Sequence, residues 1–204
     1  MKISVRGVFY LKIAIHLSAI ATLVWLVYLI EKDLLGADPV KEMTHFLGKA
    51  SLNFLLLTLA VTPLIKRFKQ PLLIRVRRLL GLYSFVWVCL HLLVFIWLDL
   101  QWEFLLFFDE VIKRPYLSLG ATAWVILLLL SITSINSIKR MMKRNWLTLH
   151  RFVYWAALFA SIHYYWSVKS GLTEPIIYLI IVALLMQERR QYFKSLLSTL
   201  KKKF

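Results

Sequence analysis

Histidines are the residues of this 204-residue chain best suited to bind a metal, and there are five of them. Two, His91 and His163, stand inside long apolar stretches, where an ionisable side chain is costly and is therefore a candidate for function. Imidazole is an axial ligand of haem iron, and helix bundles hold cofactors between facing helices. The pair could therefore hold one haem iron from both faces. The alternative is that each histidine bonds a neighbouring hydroxyl or carbonyl group.

A second set of candidates precedes this pair along the chain. His150 stands thirteen residues before His163, and Arg78 stands thirteen residues before His91. In one continuous helix that spacing is about 20 Å along the axis, which suggests a second site nearer the other membrane face, but it leaves the side chains about 140° apart in projection, so the spacing is not strict. Arg77 and Arg78, beside His150, could bind an anion such as a flavin phosphate or a haem propionate. Alternatively, the two arginines only set the orientation of the chain in the membrane.

The remaining residues offer little chemistry. His16 and His45 are expected to be mainly structural, because a single polar residue in a membrane bundle usually finds a local partner. The sequence has no Gly-rich nucleotide loop, nucleophile elbow, HExxH motif or carboxylate dyad. Its single cysteine, Cys89, leaves no disulfide framework and no thiolate cluster. The chain therefore shows no means of catalysing bond chemistry without a cofactor.

The composition places these residues in a membrane protein. The chain is 60% hydrophobic, yet it carries 26 Lys and Arg against 10 Asp and Glu, a net charge of +16. Disorder is excluded by the apolar content. Nucleic-acid binding is disfavoured because the basic residues stand between apolar runs and not on a soluble face. We predict one all-α domain, residues 1–204, a polytopic bundle of six transmembrane helices at about 8–30, 46–65, 79–98, 116–137, 147–167 and 174–187.

The loops alternate in charge. Twenty of the 26 basic residues stand in the N-terminal segment, the 66–78 loop, the 138–151 region and the tail, whereas nine of the ten acids stand in the other loops. The positive-inside rule then places both termini in the cytoplasm. The tail, 188–204, is predicted to form a basic amphipathic helix on anionic lipid. The FLLFF run at 104–108 is too short to span and is predicted to lie in the outer interface.

Four segments of the chain resemble one known family. They are LGADPVKEMTHFLGKASL (35–52), KQPLLIRVRRLLGL (69–82), KRPYLSLG (113–120) and LHRFVYWAALFASIHYYWSVK (149–169). Together they resemble the MsrQ (YedZ) family of the ferric-reductase-like transmembrane superfamily, over about residues 6–190. The resemblance implies a bacterial inner-membrane protein that binds b-type haem and FMN. It also implies electron transfer from the cytoplasmic side or the quinone pool to MsrP, a periplasmic molybdopterin enzyme that reduces methionine sulfoxide in oxidised proteins.

The resemblance also assigns residues. By position, His91 and His163 match the haem ligands of the family, and His150 matches its third functional histidine. Two-haem members of the superfamily have an inner histidine where this chain has Arg78. One haem, two haems, or a haem and a flavin therefore stay open. The immediate donor also stays open, between a cytoplasmic flavin reductase and a membrane quinol.

The number of electrons needed for sulfoxide reduction is consistent with more than one electron carrier in the protein. Sulfoxide reduction takes two electrons, a haem carries one, and a flavin accepts two and releases them singly. The hydrocarbon core is about 30 Å thick, so a carrier near His150, Arg77 and Arg78 would divide the path. The alternatives are another ferric-reductase-like or quinol-linked cytochrome b, a transporter, or a structural membrane anchor. A proton-coupled transporter is disfavoured because Asp and Glu are absent from the interiors of the predicted spans.

Overall fold

The computed structural model describes residues 3–188, and in that range the chain is helical with no β-strand. It contains α1 Val5–Glu31, α2 Pro39–Phe68, α3 Ile74–Val94, α4 Phe104–Lys113, α5 Pro115–Ile132, α6 Asn136–Met142, α7 Arg144–His150, α8 Val153–Ser167 and α9 Thr173–Gln187. A 3₁₀ turn, Pro71–Leu73, precedes α3, and a π-helical turn, Phe95–Asp99, follows it. The amphipathic helix predicted for the tail lies outside the described residues, except for Glu188.

Among residues 3–188, four segments are long and apolar enough to cross a membrane. They are Val5–Glu31, Pro39–Phe68, Pro71–Asp99 and Pro115–Ile132. Helix α9 is also apolar but has only 15 residues. The predicted all-α membrane bundle is therefore confirmed. The number of six spans and the cytoplasmic location of both termini stay predictions.

The fifth predicted span is not one continuous helix. Helix α7 ends at His150, a turn covers Arg151 and Phe152, and α8 begins at Val153. At this turn, the backbone N–H groups of Arg151 and Phe152 bond carbonyls only three residues back, at 3.2 and 3.0 Å. Such tight turns interrupt the α-helical ladder. The prediction of an uninterrupted helix over 147–167 is therefore wrong, and His150 and His163 stand on different helices.

Helix α2 is the centre of the bundle. It contributes to both clusters of buried apolar side chains, one shared with α1 and α3 and the other shared with α5, α8 and α9. Its start is well defined, because the Asp38 carboxylate accepts a hydrogen bond from the Lys41 N–H at 3.1 Å and Pro39 occupies the first turn. Helices α3 and α8 thus have one common neighbour.

Small residues let these helices approach closely. Ser51 of α2 donates to the Ser84 carbonyl of α3 at 2.9 Å, and Ser84 donates to the Ser51 carbonyl at 3.0 Å. Both side chains are buried. In α5 and α8, the buried residues Ala123 and Ala156 are separated by the same number of residues as Ser51 and Ser84. Small side chains at helix contacts are typical of membrane bundles.

The run predicted to lie at the outer interface begins a short helix. Helix α4 has ten residues and exposes Leu105, Phe108 and Ile112, which recur at helical spacing. Its last turn carries two ion pairs, Lys113 with Asp109 at 2.6 Å and Arg114 with Glu110 at 2.6 Å. The hydrogen bond with Asp109 raises the pKa of Lys113. The membrane depth of α4 stays a prediction.

Candidate functional site

The structure brings His91 and His163 together. His91 lies in the last turn of α3 and His163 lies in α8, and their ring centres are 6.2 Å apart with an angle of 84° between the ring planes. Both histidines are partly buried. Two residues that stand far apart in the chain therefore face each other across the bundle.

Each ring is oriented by a backbone carbonyl of a neighbouring helix. His91 donates through Nδ1 to the carbonyl oxygen of Thr44 in α2, at 2.7 Å. His163 donates through Nδ1 to the carbonyl oxygen of Tyr116 in α5, also at 2.7 Å. With the proton on Nδ1, Nε2 keeps a free lone pair. A hydrogen bond from the second ring nitrogen to a carbonyl is the usual way in which a metal-binding imidazole is held in place.

The two halves of this site repeat one arrangement. In both, the histidine and the carbonyl that it bonds are 47 residues apart in sequence. Glycines occupy equivalent places as well, Gly48 against His91 and Gly120 against His163. The α2–α3 pair and the α5–α8 pair therefore build similar half-sites, although the sequence shows no repeat at a fixed short period.

A group of polar side chains joins α2 to α8 and α9. The His45 ring lies edge-on to Tyr164, with ring centres 6.3 Å apart. Lys49 forms an ion pair with Glu174 at 3.4 Å, which joins α2 to α9. Tyr178 donates to Asn53 at 2.8 Å. His45 thus has an aromatic neighbour beside these polar contacts, and the structural role expected for it stays a prediction.

His16 has a local partner too. Its Nδ1 lies 2.5 Å from the hydroxyl of Tyr83, which joins α1 to α3. The ring of Tyr83 in turn stacks on Phe54 of α2, with centres 5.5 Å apart. His16 is therefore remote from the pair formed by His91 and His163, and its contact is of the interhelical kind expected for a structural polar residue.

The second set of candidates lines a cavity. Arg77, Arg78 and His150 contribute to the wall of a space of about 420 Å³, together with Asn136, Lys139 and Trp146. Arg78 donates to the side-chain oxygen of Asn136 at 3.2 Å. The cavity thus combines cationic side chains with an aromatic surface. That chemistry suits a planar ligand that carries a phosphate or carboxylate group.

His150 differs from the other two candidates in how it is held. The Thr133 hydroxyl donates to the Leu129 carbonyl at 2.7 Å and lies 3.1 Å from Nε2 of His150, so that Nε2–H donates to the hydroxyl oxygen. The His150 ring stacks on Trp146 with centres 4.0 Å apart, and Lys139 lies 4.5 Å from the Trp146 ring centre. Metal binding through Nε2 would require the hydrogen bond to Thr133 to be exchanged for the metal bond.

The chain matches one known protein family. The family described as ferric reductase like transmembrane component matches residues 46–161, more than half of the chain. The chain belongs to this family. Ferric-reductase-like transmembrane components are membrane electron-transfer subunits of cytochrome type and typically bind haem. The matched range contains His91, His150 and both arginines, and it ends two residues before His163.

The donor set agrees with haem better than with a bare metal ion. Among residues 3–188, no group of three or more His, Cys, Asp and Glu side chains is placed to hold a metal. Haem iron, by contrast, asks the protein only for axial ligands. A pair of imidazoles with free Nε2 atoms is therefore sufficient for a member of the ferric-reductase-like family.

Sequence reasoning found the histidines and arginines but missed the residues that position them. The carbonyls of Thr44 and Tyr116 carry no signal in their side chains. The two glycines could have been found, because Gly48 and Gly120 are separated by the same number of residues as His91 and His163. Trp146 could also have been found, since it stands one helical turn before His150.

Proposed function

We propose that this ferric-reductase-like protein is a haem b electron-transfer subunit of the MsrQ type. In this role it carries electrons from the cytoplasmic side or the quinone pool across the inner membrane. The acceptor is a periplasmic molybdopterin methionine sulfoxide reductase, MsrP, which repairs oxidised proteins. The observation that carries the proposal is the facing pair of His91 and His163, whose ring centres are 6.2 Å apart.

The spacing of the pair fits one iron between the rings. An imidazole nitrogen lies about 2 Å from a bound metal and the ring centre lies about 1 Å beyond it, so two axial imidazoles have centres about 6 Å apart. The observed 6.2 Å matches this value. A bound haem would supply a one-electron carrier, and His91 and His163 would hold its iron.

The protein prepares this site through hydrogen bonds and packing. The Thr44 and Tyr116 carbonyls select the Nδ1–H tautomer and increase the electron density on Nε2. The surrounding helices partly bury the rings, which favours the lower charge of a reduced site. The helices thus tune the affinity and the reduction potential of the site, and the substrate chemistry takes place in the partner.

The cavity lined by Arg77, Arg78 and His150 is the proposed place of a second carrier, FMN or a second haem. Its cationic side chains would bind the phosphate or propionate groups of either ligand, and the ring of Trp146 offers a stacking surface. A flavin would accept two electrons and release them singly, which matches a two-electron donor to a one-electron path. The donor is a cytoplasmic flavin reductase or a membrane quinol.

The first test is spectroscopic. Purified wild-type protein from haem-sufficient cells should show the absorption bands of a b-type cytochrome, and His91→Ala or His163→Ala should remove them. His16→Ala serves as the control, because His16 lies against Tyr83, away from the pair. A colourless wild-type protein, or variants with unchanged haem content, would refute the haem site.

The second test concerns the partner. Dithionite-reduced protein is mixed with a purified periplasmic molybdopterin reductase and methionine sulfoxide, and the haem bands are followed. Reoxidation that requires both additions is the expected result. Reoxidation by the sulfoxide alone, or none with both present, would leave a ferric-reductase-like cytochrome but not one of the MsrQ type.

A further inference from the structure

We propose that Gly48 and Gly120 are positioning residues that set the planes of the two imidazole rings, an inference that rests on the proposed haem site. Each glycine lies directly against one ring. A Cβ atom on Gly48 would lie 3.1 Å from Nδ1 and 3.2 Å from Cε1 of His91. A Cβ atom on Gly120 would lie 2.9 and 3.0 Å from the same atoms of His163. A residue with a Cβ atom at either position would have to move the neighbouring ring.

The glycines are not required by the backbone. Gly48 lies within α2 and Gly120 lies within α5, and neither has a positive φ. Glycine in the interior of a helix is less favourable than alanine. The benefit must therefore come from the space that the missing side chain leaves, and in both places an imidazole fills that space.

That space gives each ring access to its carbonyl. Thr44 stands four residues before Gly48, and Tyr116 stands four residues before Gly120. In an α-helix, each of these carbonyls already accepts the N–H of the residue four positions later. A side chain at that later position covers the preceding turn. Glycine at that position leaves room for the imidazole ring against this turn, so that its Nδ1–H can reach the carbonyl as a second donor.

The two contacts together set the angle between the rings. Each ring is held at one edge by a carbonyl, at 2.7 Å in both cases, and against a helix backbone where the glycine lies. The resulting planes are 84° apart. The relative orientation of two axial imidazoles determines the splitting of the iron d orbitals. With haem bound, the glycines would therefore influence a spectroscopic property as well as the fit of the ligand.

The same device occurs twice, which argues against chance. His91, Thr44 and Gly48 form one set, and each member has a counterpart at the same sequence separation in His163, Tyr116 and Gly120. The third helical glycine near the bundle centre, Gly81, behaves differently. A Cβ there would lie 3.7 Å from the nearest atom of Thr58, which is an ordinary contact. Gly81→Ala is therefore a matched control.

The first experiment uses the haem-loaded protein. In Gly48→Ala and Gly120→Ala, we expect a changed anisotropy of the low-spin ferric EPR signal and a higher midpoint potential, because the weakened Nδ1 hydrogen bond makes the ligand less basic. Haem affinity should fall about 10- to 100-fold, as for other losses of such a hydrogen bond. Gly81 lines the cavity of Arg77, Arg78 and His150, so Gly81→Ala is the control only for the haem held by His91 and His163, whose EPR signal and potential it should leave unchanged. An unaltered EPR signal and potential in both site variants would overturn the proposal.

The second experiment uses haem-free protein, so it does not depend on the proposed function. Thermal unfolding in detergent is measured for Gly48→Ala alone, His91→Ala alone and the double variant. Gly48→Ala should lower the melting temperature when the ring is present. It should raise the melting temperature in the His91→Ala background, because alanine is the better helix former. Equal effects in both backgrounds would overturn the contact. Absence of haem from the wild type would instead refute the proposed function and leave this result intact.

Discussion

Three histidines of this chain differ in which nitrogen they offer. His91 and His163 donate Nδ1–H to backbone carbonyls and leave Nε2 free, whereas His150 engages Nε2 with the Thr133 hydroxyl. The free nitrogens of His91 and His163 suit iron. His150 stacks on Trp146 and, with Arg77 and Arg78, lines the cavity proposed for a second carrier. The three histidines have the same side chain, but their hydrogen bonds leave different ring nitrogens free.

The cavity lined by Arg77, Arg78 and His150 supports a prediction about Arg78. Arg78→Ala should slow reduction of the haem by a reductant supplied at the cytoplasmic face by about tenfold or more, because losing one hydrogen bond to a charged ligand costs about 1.5–3 kcal/mol. The haem held by His91 and His163 should stay bound, because Arg78 stands thirteen residues before His91, about 20 Å away along a helix. Stopped-flow absorption in oriented vesicles measures the rate.

Arg75→Ala is the control for that measurement. Arg75 lies in the same basic segment and is exposed, and it is not among the residues that line the cavity. If loss of charge alone slows reduction, both variants will be slow. Equal rates for Arg75→Ala and Arg78→Ala would contradict a cofactor-binding role for Arg78.

At the scale of elements, the close contact of α2 and α3 keeps His91 beside its carbonyl. The reciprocal hydrogen bonds of Ser51 and Ser84 lie in the interior of this contact, and Ser84 is fully buried. The break between α7 and α8 places His150 beside a different helix. Helix α7 ends against Thr133 at the end of α5, where the Trp146 indole N–H bonds the Thr133 carbonyl at 2.9 Å.

Substitutions at Ser84 test the α2–α3 contact. Ser84→Leu should destabilise the protein by about 1–3 kcal/mol, because extra methylene groups in a filled contact force the helices apart. Ser84→Ala should cost only about 0.6 kcal/mol, the usual value for a hydrogen bond between membrane helices. Thermal unfolding in detergent gives both values.

The control for those substitutions is Ser18→Ala. Ser18 lies in α1 and its hydroxyl bonds the Ile15 carbonyl of its own helix at 2.9 Å. Its loss should leave the α2–α3 contact unchanged. Ser84→Leu with wild-type stability and a wild-type haem spectrum would show that the contact does not position His91.

For the whole molecule, charge and ion pairing follow the predicted sides of the membrane. In the described residues, the three ion pairs, Lys49–Glu174, Lys113–Asp109 and Arg114–Glu110, all join residues of the loops and helix ends predicted to face outward. The side predicted to face the cytoplasm has most of the basic residues and, in the sequence, only Glu188 as an acid. An excess of basic residues on one side is what retains that side in the cytoplasm.

Labelling of single cysteines tests this orientation. In a Cys89→Ser background, Gln101→Cys should react with a membrane-impermeant maleimide in intact cells, because its loop is predicted to face outward. Lys143→Cys should react only after the membrane is opened. The reverse pattern would contradict cytoplasmic termini.

The sequence by itself determined the properties that depend on residue type and order. Apolar runs require burial in lipid wherever the helices pack, and the charges between them act during insertion, before tertiary contacts form. The membrane class and the all-α fold followed from these runs, as did the choice of His91 and His163. Each of these inferences needs only the chemistry of a side chain and its neighbours in the chain.

Only the tertiary structure decided which groups meet. The carbonyls of Thr44 and Tyr116 are backbone groups that every residue has, so their role depends on which helix packs against which ring. The same holds for Gly48 and Gly120, which matter because of the imidazole opposite them. The break after His150 also depends on packing, since its neighbours bond Thr133 of another helix. Contacts between helices are set by the complementary shapes of two surfaces, and a single helix contains only one of them.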